Sequence, residues 1–240
     1  MEDVGGGVLG MAWHGEPLVG FDLETTGTDP ATARIVTAAV TEAKAGEPVA
    51  HRAWLVDPGV PIPPDAARIH GITTERARAA GRPAREAVAE IAEALAGYWA
   101  DGVPVVAYNA SYDLSVLAAE LARYGLPPLG ADLGPVLDPL TVDRAVDPYR
   151  KGSRTLQAAC QEYGVVLDGA HEAGADALAA VRVACALAER HPRIAAAEPW
   201  ELHRRQVVWY GEWADGYQRW LRRRDQDAFV DGRWPVRVGP

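Results

Sequence analysis

The stretch PLVGFDLETTG, residues 17–27, most constrains what this chain can fold into. Its apolar residues form the short continuous run that is typical of a central strand, and Gly27 closes the turn that ends it. Side chains alternate between the two faces of a strand, so Asp22 and Glu24 project from the same face. The sequence therefore predicts a buried strand over Pro17–Glu24 with two carboxylates side by side at its end.

Two adjacent carboxylates repel each other unless they hold a proton, a basic partner or a cation. A divalent metal ion that prefers oxygen ligands is the strongest of these remedies. Acids at an exposed strand end would instead simply face water. We favour the metal site because further acids occupy comparable positions later in the chain.

Composition limits the classes of protein to consider. The chain has 240 residues, 48% of them hydrophobic, which suits one large domain with an appendage. No apolar run could span a membrane and no signal peptide is recognisable, so we expect a cytoplasmic protein without a membrane partner. A formal charge of −9 argues against a broad basic surface, so a polyanionic substrate would be held locally. Cys160 and Cys185 are interpreted as buried free thiols.

Strands and helices then alternate along the chain. Arg34–Lys44 and Pro48–Val56 are strand candidates joined by a tight turn, which makes an antiparallel meander with the first strand. Val103–Tyr108 is a short apolar strand of the kind covered on both faces, and Val136–Leu140 is a further candidate. Helices are predicted for Arg85–Trp99, for a segment that begins at Asn109, for Thr155–Tyr163 and for the segment that Pro192 ends.

A third acid, Asp113, lies in the first turn of the helix that begins at Asn109. An acid in this place is favourable with the helix dipole and needs no catalytic role. Its position directly after a buried strand is, however, the usual place for ligands in open α/β sheets. We therefore favour a functional role for Asp113.

The segment HEAGAD brings His171 and Asp176 to a junction between a loop and a helix. A histidine before a helix more often caps or packs, and Asp176 by itself is another favourable first-turn acid. Because the two residues are five positions apart on such a junction, both can reach one point from different directions.

The motifs FDLETTG, NASYD and HEAGAD, in this order, resemble the three-motif pattern of the DEDDh exonucleases, the family that includes the proofreading subunit of bacterial DNA polymerase III. The resemblance spans roughly residues 17–191 and includes the stretches IHGIT and RTLQAACQEYGV. The sequence departs from the family at Tyr108, where many members have His, and at Tyr112, where Phe is commoner. Either change could alter how the terminal nucleotide is held.

The resemblance implies a site chemistry. Two divalent metal ions, Mg²⁺ or Mn²⁺, would lie about 3.5–4 Å apart and would activate a water and stabilise the leaving oxygen. Asp22 would bridge both ions, Glu24 and Asp176 would complete the site with the attacking water, and Asp113 would bind the second ion. His171, in its neutral form, would accept the proton from that water.

The family's substrate-binding positions would fall on Thr25, Thr26, His70 and Asn109. The alternative for the threonines is that they only end the strand, and for His70 that it is a packed loop histidine. The turn that carries Arg150, Lys151 and Arg154 could meet a phosphate, although a solvated basic turn is at least as good an interpretation.

The resemblance implies a ribonuclease-H-like α/β fold with a five-stranded mixed sheet flanked by helices, plus a C-terminal helical extension. We divide the chain into a loose segment 1–16, an exonuclease domain 17–192 and a Trp/Arg-rich extension 193–240. In the extension, Trp209, Trp213, Tyr217 and Trp220 form one helical stripe with arginines near its end. Packing of this stripe on the domain or on a polymerase or repair partner is favoured over stacking with single-stranded bases.

These features predict a metal-dependent 3′-to-5′ exonuclease that acts on nucleic acid 3′ ends, single-stranded DNA above all, and releases nucleoside 5′-monophosphates. The alternatives are an exoribonuclease and a non-catalytic module that recruits a partner through the extension. Retention of all the chemical residues argues against the non-catalytic module, because such a module has no reason to hold four mutually repelling acids together.

Overall fold

A mixed sheet is the centre of the molecule. The computed structural model describes residues 12–130, 133–167 and 172–237. Within them the sheet has six strands in the order β4-β3-β2-β1-β5-β6. The strands are β1 (Pro17–Thr25), β2 (Ile35–Lys44), β3 (Glu47–Asp57), β4 (Arg82–Pro83), β5 (Val105–Val106) and β6 (Val136–Leu137).

The sheet combines a meander with parallel strands. β1, β2 and β3 are antiparallel neighbours, and Ala45 and Gly46, both with positive φ (51° and 77°), form the tight turn between β2 and β3. β5 runs parallel to β1, and β6 runs parallel to β5. The carboxyl ends of these three parallel strands therefore lie at the same edge of the sheet, where open α/β sheets bind ligands.

The predicted mixed sheet with flanking helices is confirmed, with differences at its edges. The described residues contain six strands where five were expected, because β4 adds a two-residue strand beside β3. β5 and β6 are shorter than expected. The second of the two predicted strands ends early because Pro139 begins a helix whose N-cap is Asp138.

Helices cover both faces of the sheet. They are α1 (Pro64–His70), α2 (Thr74–Ala80), α3 (Ala84–Ala100), α4 (Ala110–Arg123), α5 (Pro139–Val146), α6 (Leu156–Tyr163), α7 (Ala173–Arg190), α8 (Pro192–Ala195) and α9 (Pro199–Leu221). Phe21 of β1 belongs to the core cluster with α3 and α4, whereas Leu18 belongs to the cluster with α7. Because strand side chains alternate, α7 covers the same face of β1 as Asp22 and Glu24.

The start of the chain is docked where the structure describes it. The segment 1–16 was expected to be loose, but Trp13 is buried and its indole N–H donates to the carbonyl of Ile194 at 3.0 Å. This contact attaches the residues before β1 to α8. Residues 1–11 lie outside the described residues.

The C-terminal part is helical, as expected, and α9 pairs with the edge of the sheet. The backbone N–H of Val136 in β6 donates to Nδ1 of His203 at 3.1 Å. The side chain of Gln206 accepts from the N–H of Asp138 at 2.6 Å and donates to the carbonyl of Val136 at 3.0 Å. Two side chains of α9 therefore satisfy backbone groups that an edge strand would otherwise leave unpaired. The division at residues 192 and 193 stays a prediction.

The aromatic stripe of α9 divides into two parts. Tyr210 is buried, and Trp209 and Trp213 pack partly against the core, so the packing that we favoured holds for this half. Tyr217 and Trp220 are 41% and 45% exposed. These two residues form the exposed half of the stripe.

His203 gives the attachment of α9 a pH dependence. Burial lowers the pKa of His203 from 6.5 to about 4. Between these two values the unfolded chain takes up a proton that the folded chain excludes, so His203 makes the free energy of unfolding fall as the pH decreases. We expect this loss to be at most about 3 kcal/mol between neutral pH and the lower pKa, because each pKa unit corresponds to about 1.4 kcal/mol.

Denaturant unfolding of the wild-type chain and His203→Leu at several pH values measures this loss. The variant is less stable at neutral pH, because the N–H of Val136 loses its acceptor. The gap between the two proteins should narrow as the pH falls. A gap that stays constant would contradict the exclusion of the proton.

Candidate active site

Three carboxylates from two elements meet at the carboxyl end of β1. Asp22 and Glu24 project from β1 toward α7, and Asp176 lies in the first turn of α7. One carboxylate oxygen from each of the three lies within 4.8 Å of the others. The structure thus brings three of the four predicted acids together, although Glu24 and Asp176 are 152 positions apart in the sequence.

A glycine allows this approach. A Cβ atom on Gly20 would lie 2.3 Å from the carbonyl oxygen of Ala177, the residue that follows Asp176. Real atoms do not approach so closely, so only a residue without a side chain lets α7 rest on the backbone of β1 here. The close contact places the first turn of α7 beside Asp22.

The fourth acid, Asp113, is attached to β1 between the first two. Its carboxylate is 4% exposed and accepts from the N–H of Leu23 at 3.0 Å. α4, which carries Asp113, begins at Asn109, a residue in the left-handed conformation (φ 67°). The N–H of Asn109 donates to the carboxylate of Asp138 at 2.9 Å. Asn109 therefore sets the direction in which α4 leaves β5.

The four acids strain one another electrostatically. Burial raises the pKa of Asp22 well above its usual range, and the neighbouring acids raise it further. Burial and the charge of Asp176 raise the pKa of Glu24 to about 7. Burial also raises the pKa of Asp113 well above its usual range, although the hydrogen bond from Leu23 opposes the shift. A cluster of this kind is stabilised by bound cations, and its all-oxygen donors suit hard divalent ions such as Mg²⁺ and Mn²⁺.

The predicted histidine, His171, lies outside the described residues. Glu172, the next residue, is the N-cap of α7 and lines an open pocket of about 350 Å³ between β2, β3 and the start of that helix. His70 lines the same pocket. The residue that directly follows His171 in the sequence therefore lines this cavity.

His70 is partly buried in that pocket. Its Nδ1 accepts from the N–H of Ile72 at 3.2 Å. Burial lowers the pKa of His70, and an interaction with the backbone of Thr25 opposes the shift. His70 thus lies near the turn that follows the two acids of β1, and the packed and the ligand-facing interpretations both agree with this position.

The two threonines after Glu24 shape the turn itself. The hydroxyl of Thr25 donates to the carbonyl of Gly27 at 2.8 Å and lies 2.5 Å from the hydroxyl of Tyr112. Thr26 exchanges hydrogen bonds with Arg34 through its N–H and its hydroxyl, each at 3.0 Å. Both threonines therefore serve the local structure, and their contact with a nucleotide stays a prediction.

The basic turn is not a solvated one. Asp143, a buried residue of α5, pairs with Arg150 at 2.8 Å and also with Arg154. The hydroxyl of Tyr163 donates to the same carboxylate at 2.6 Å. Arg150 and Arg154 thus share one buried carboxylate within the domain, and only Lys151 of the three predicted basic residues is exposed. Sequence spacing could not show the partner, because Asp143 looks like an ordinary helical acid.

The structure adds one residue that the sequence analysis missed, Asp138, and gives a structural role to Tyr112. Asp138 is fully buried, caps α5 through the N–H of Leu140 and holds the N–H of Asn109, so it links α5 to the helix that carries Asp113. An Asp followed by Pro139 is a recognisable N-cap signal. The hydroxyl of Tyr112 contacts Thr25 and the carbonyl of Gly27. A Phe at this position could not tie α4 to the turn in this way.

With this geometry described, comparison with known proteins identifies the family. The family model RNase_T, described as exonuclease, matches residues 19–184. The chain belongs to this exonuclease family. The match includes Asp22, Glu24, Asp113 and Asp176, so the family domain contains all four acids.

Known relatives agree with this assignment. The chain is 32% identical over 157 residues to a PolC-type DNA polymerase III of Halalkalibacterium halodurans, an alignment that covers 65% of the chain and 10% of the polymerase. It is also similar to E. coli exonuclease I in complex with a dA16 oligonucleotide, with 25% identity and a TM-score of 0.61. The zinc-bound form of an E. coli exonuclease I complex with single-stranded DNA has the same identity and TM-score.

Both exonuclease I structures are matched over 75% of this chain and 42% of theirs, and they share its ribonuclease-H-like arrangement of a mixed sheet and helices. The chain therefore corresponds to one part of each longer relative. Among the described residues, no helix is both long and apolar enough to cross a membrane.

Proposed function

We propose that the chain is a metal-dependent 3′-to-5′ exonuclease that removes nucleoside 5′-monophosphates from DNA. The observation that carries the proposal is the convergence of four carboxylates at one sheet edge, three of them with oxygen atoms within 4.8 Å of one another. The raised pKa values of Asp22, Glu24 and Asp113 indicate a site that is electrostatically incomplete without cations. The exonuclease family supplies the reaction class, and the oligonucleotide complexes of exonuclease I support DNA as the polymer.

In this proposal Asp22, Glu24, Asp113 and Asp176 would together hold two divalent ions. Bound ions of this kind supply an activated water and neutralise charge that develops on the phosphate and the leaving oxygen. His171 accepts a proton from the water as its oxygen bonds to phosphorus. The bond from phosphorus to the 3′ oxygen of the penultimate nucleotide breaks, that oxygen takes up a proton, and the terminal nucleotide leaves with its 5′ phosphate.

The test is digestion of single-stranded DNA and RNA, labelled at either end, by the purified chain with Mg²⁺ or Mn²⁺. We expect stepwise shortening from the 3′ end of DNA, release of 5′-monophosphates, and loss of both in EDTA. If RNA were shortened faster than DNA, RNA would replace DNA as the proposed substrate. A folded chain that binds metal and shortens neither polymer would contradict the proposal and favour a non-catalytic module.

The same digestion tests His171. The variant His171→Ala should bind metal and DNA but should lose most of the rate, because general-base catalysis contributes about 10²- to 10⁴-fold. A polymerase or repair partner for the extension and a cytoplasmic location stay predictions.

A further inference from the structure

An open groove runs beside the carboxylate site. It lies between α5, the loop that follows it, and α9, and its volume is about 920 Å³. Its walls include Arg144, Arg154, Trp209, Glu212, Trp213 and Tyr217. No part of the metal-binding cluster lines the groove, so it is a separate feature that the reaction itself does not explain.

Arg144 is the unusual residue of the groove. Its guanidinium lies 3.8 Å from the centre of the Trp213 ring, and burial lowers its pKa. Within residues 12–130, 133–167 and 172–237, no salt bridge neutralises it, whereas the neighbouring Arg154 is paired with Asp143. The buried carboxylate of Asp138 attracts the guanidinium of Arg144 without forming a salt bridge with it. A guanidinium that is not engaged in a salt bridge is suited to bidentate contact with a phosphate.

The aromatic wall of the groove continues along the exposed half of α9. Trp213 and Tyr217 are stacked with ring centres 5.5 Å apart, and Tyr217 and Trp220 are stacked at 5.7 Å. We call these three residues the aromatic ladder. The guanidinium of Arg224 lies 5.1 Å from the Trp220 ring, at the far end of the ladder from Arg144. The ladder is therefore a large exposed aromatic surface with a cation at each end, and soluble proteins seldom leave such surfaces without a partner.

Charge along this surface contrasts with the rest of the chain. Four arginines, Arg219, Arg222, Arg223 and Arg224, follow the ladder on the last turn of α9 and just after it. In the part of the chain that the structure describes, none of them forms a salt bridge with an acid. A chain with a net charge of −9 thus concentrates unpaired positive charge next to aromatic rings. This combination is what single-stranded nucleic acid recognises.

The groove also adjoins the active site through short connections. The hydroxyl of Tyr108 donates to the carbonyl of Arg154 at 2.8 Å, and the next residue, Asn109, begins the helix that carries Asp113. The buried carboxylate of Asp138 acts electrostatically on both Asp113 and Arg144. These contacts connect the wall of the groove to the start of the helix that carries Asp113.

We propose that this groove binds the single-stranded DNA that precedes the 3′-terminal nucleotide, with Arg144 at a phosphate and the aromatic ladder against the bases. The inference rests on the proposed function for the direction in which the strand runs. Trp209 and Trp220 are separated by 11 residues of α9, or about 16 Å, which is enough to contact several nucleotides.

Binding is measured by fluorescence anisotropy with 5′-labelled oligo-dT in EDTA, using the full chain with Asp22→Asn, so that hydrolysis does not interfere. The oligonucleotides are about 4 and about 16 nucleotides long. We expect Arg144→Gln to weaken binding of the longer one about 5- to 50-fold and to reduce the salt slope by about 1. Trp220→Ala, at a surface position, should weaken it to a similar extent without affecting folding.

The matched control is Arg85→Gln, which removes an exposed arginine from α3 and should leave the binding unchanged. The proposal would be overturned if both groove variants bound the longer oligonucleotide with the affinity and the salt slope of the wild type. It would also be overturned if the groove variants lost as much affinity for duplex DNA as for single-stranded DNA. If the wild-type chain digests DNA and the groove variants bind DNA normally, the proposed function stands and only the proposed role of the groove is contradicted. If the wild-type chain does not digest DNA but the groove variants lose DNA binding, the result would support DNA binding by the groove and contradict the proposed nuclease activity.

Discussion

Replacing Asp22 with Asn should abolish DNA cleavage and at the same time stabilise the metal-free protein. The amide cannot carry the negative charge that holds a cation, so we expect a rate loss on the order of 10³-fold or more. The same change removes one of four mutually repelling carboxylates from a buried cluster. Each pKa unit of such repulsion corresponds to about 1.4 kcal/mol, so the free energy of unfolding in EDTA should rise by at least about 1 kcal/mol.

The stabilising effect of Asp22→Asn in the metal-free protein should depend on pH. The pKa of Glu24 is raised from 4.5 to about 7, so between these values the folded chain keeps a proton that the unfolded chain releases. Stability therefore falls as the pH rises through this window in the metal-free wild-type protein. In the Asp22→Asn variant, stability should fall less as the pH rises through this window, because one of the repelling carboxylates is gone. Saturating Mg²⁺ should restore stability to the wild-type protein more than to the variant.

Thermal unfolding in EDTA and in Mg²⁺, at pH values on both sides of the window, measures these effects. The matched control is Asp101→Asn, since Asp101 is exposed at the end of α3 and is not part of the carboxylate cluster. It should leave both activity and stability close to those of the wild type. An Asp22→Asn protein that is less stable than the wild type in EDTA would contradict the electrostatic description of the site.

Replacing Gly20 with Ala should be among the most damaging single-methyl additions to this chain. In the interior of a strand, alanine normally costs less entropy than glycine. Here the new Cβ would lie 2.3 Å from the carbonyl oxygen of Ala177, which is backbone and cannot turn aside. We expect α7 to be displaced from β1, with a loss of about 3 kcal/mol or more in the free energy of unfolding.

The displacement should also reduce activity, because Asp176 precedes Ala177 and would move away from Asp22. A shift of about 1 Å in a catalytic group costs about 10²-fold in rate. The control is Gly97→Ala in α3, where a new Cβ would have no heavy atom within 4 Å. This change should stabilise the protein by about 0.5–1 kcal/mol and leave activity unchanged. Equal stabilities of Gly20→Ala and the wild type would show that α7 does not approach β1 as described.

Local features of the sequence were enough to predict most of the sheet and the placement of the acids. The apolar run before Asp22 and the alternation of strand side chains predicted β1 and the orientation of its two carboxylates, and the turn at Ala45 and Gly46 predicted the meander. N-cap chemistry at Thr155 was also predictable, because its hydroxyl accepts from the N–H of Ala158 as the pattern requires.

Other features depend on partners that are remote in the chain. The basic turn was interpreted as either solvated or phosphate-binding, but Asp143 pairs with both Arg150 and Arg154 from the interior of α5. The helical stripe of α9 gave no indication of which half would be buried. That division follows from Gln206 and His203, which bind the exposed edge of β6 and so attach only the first half of the helix to the domain.

The sequence by itself determined which elements form and which residues carry charge, because strand alternation, helix caps and turns depend on neighbours within a few positions. It also identified the family through three short motifs in order. Only the tertiary structure decided which charges meet. Asp176 joins Asp22 because Gly20 lets two backbones touch, and Asp143 pairs with Arg150 and Arg154 rather than with Arg144. Electrostatic interactions act through space, so their outcome depends on contacts between residues far apart in the chain.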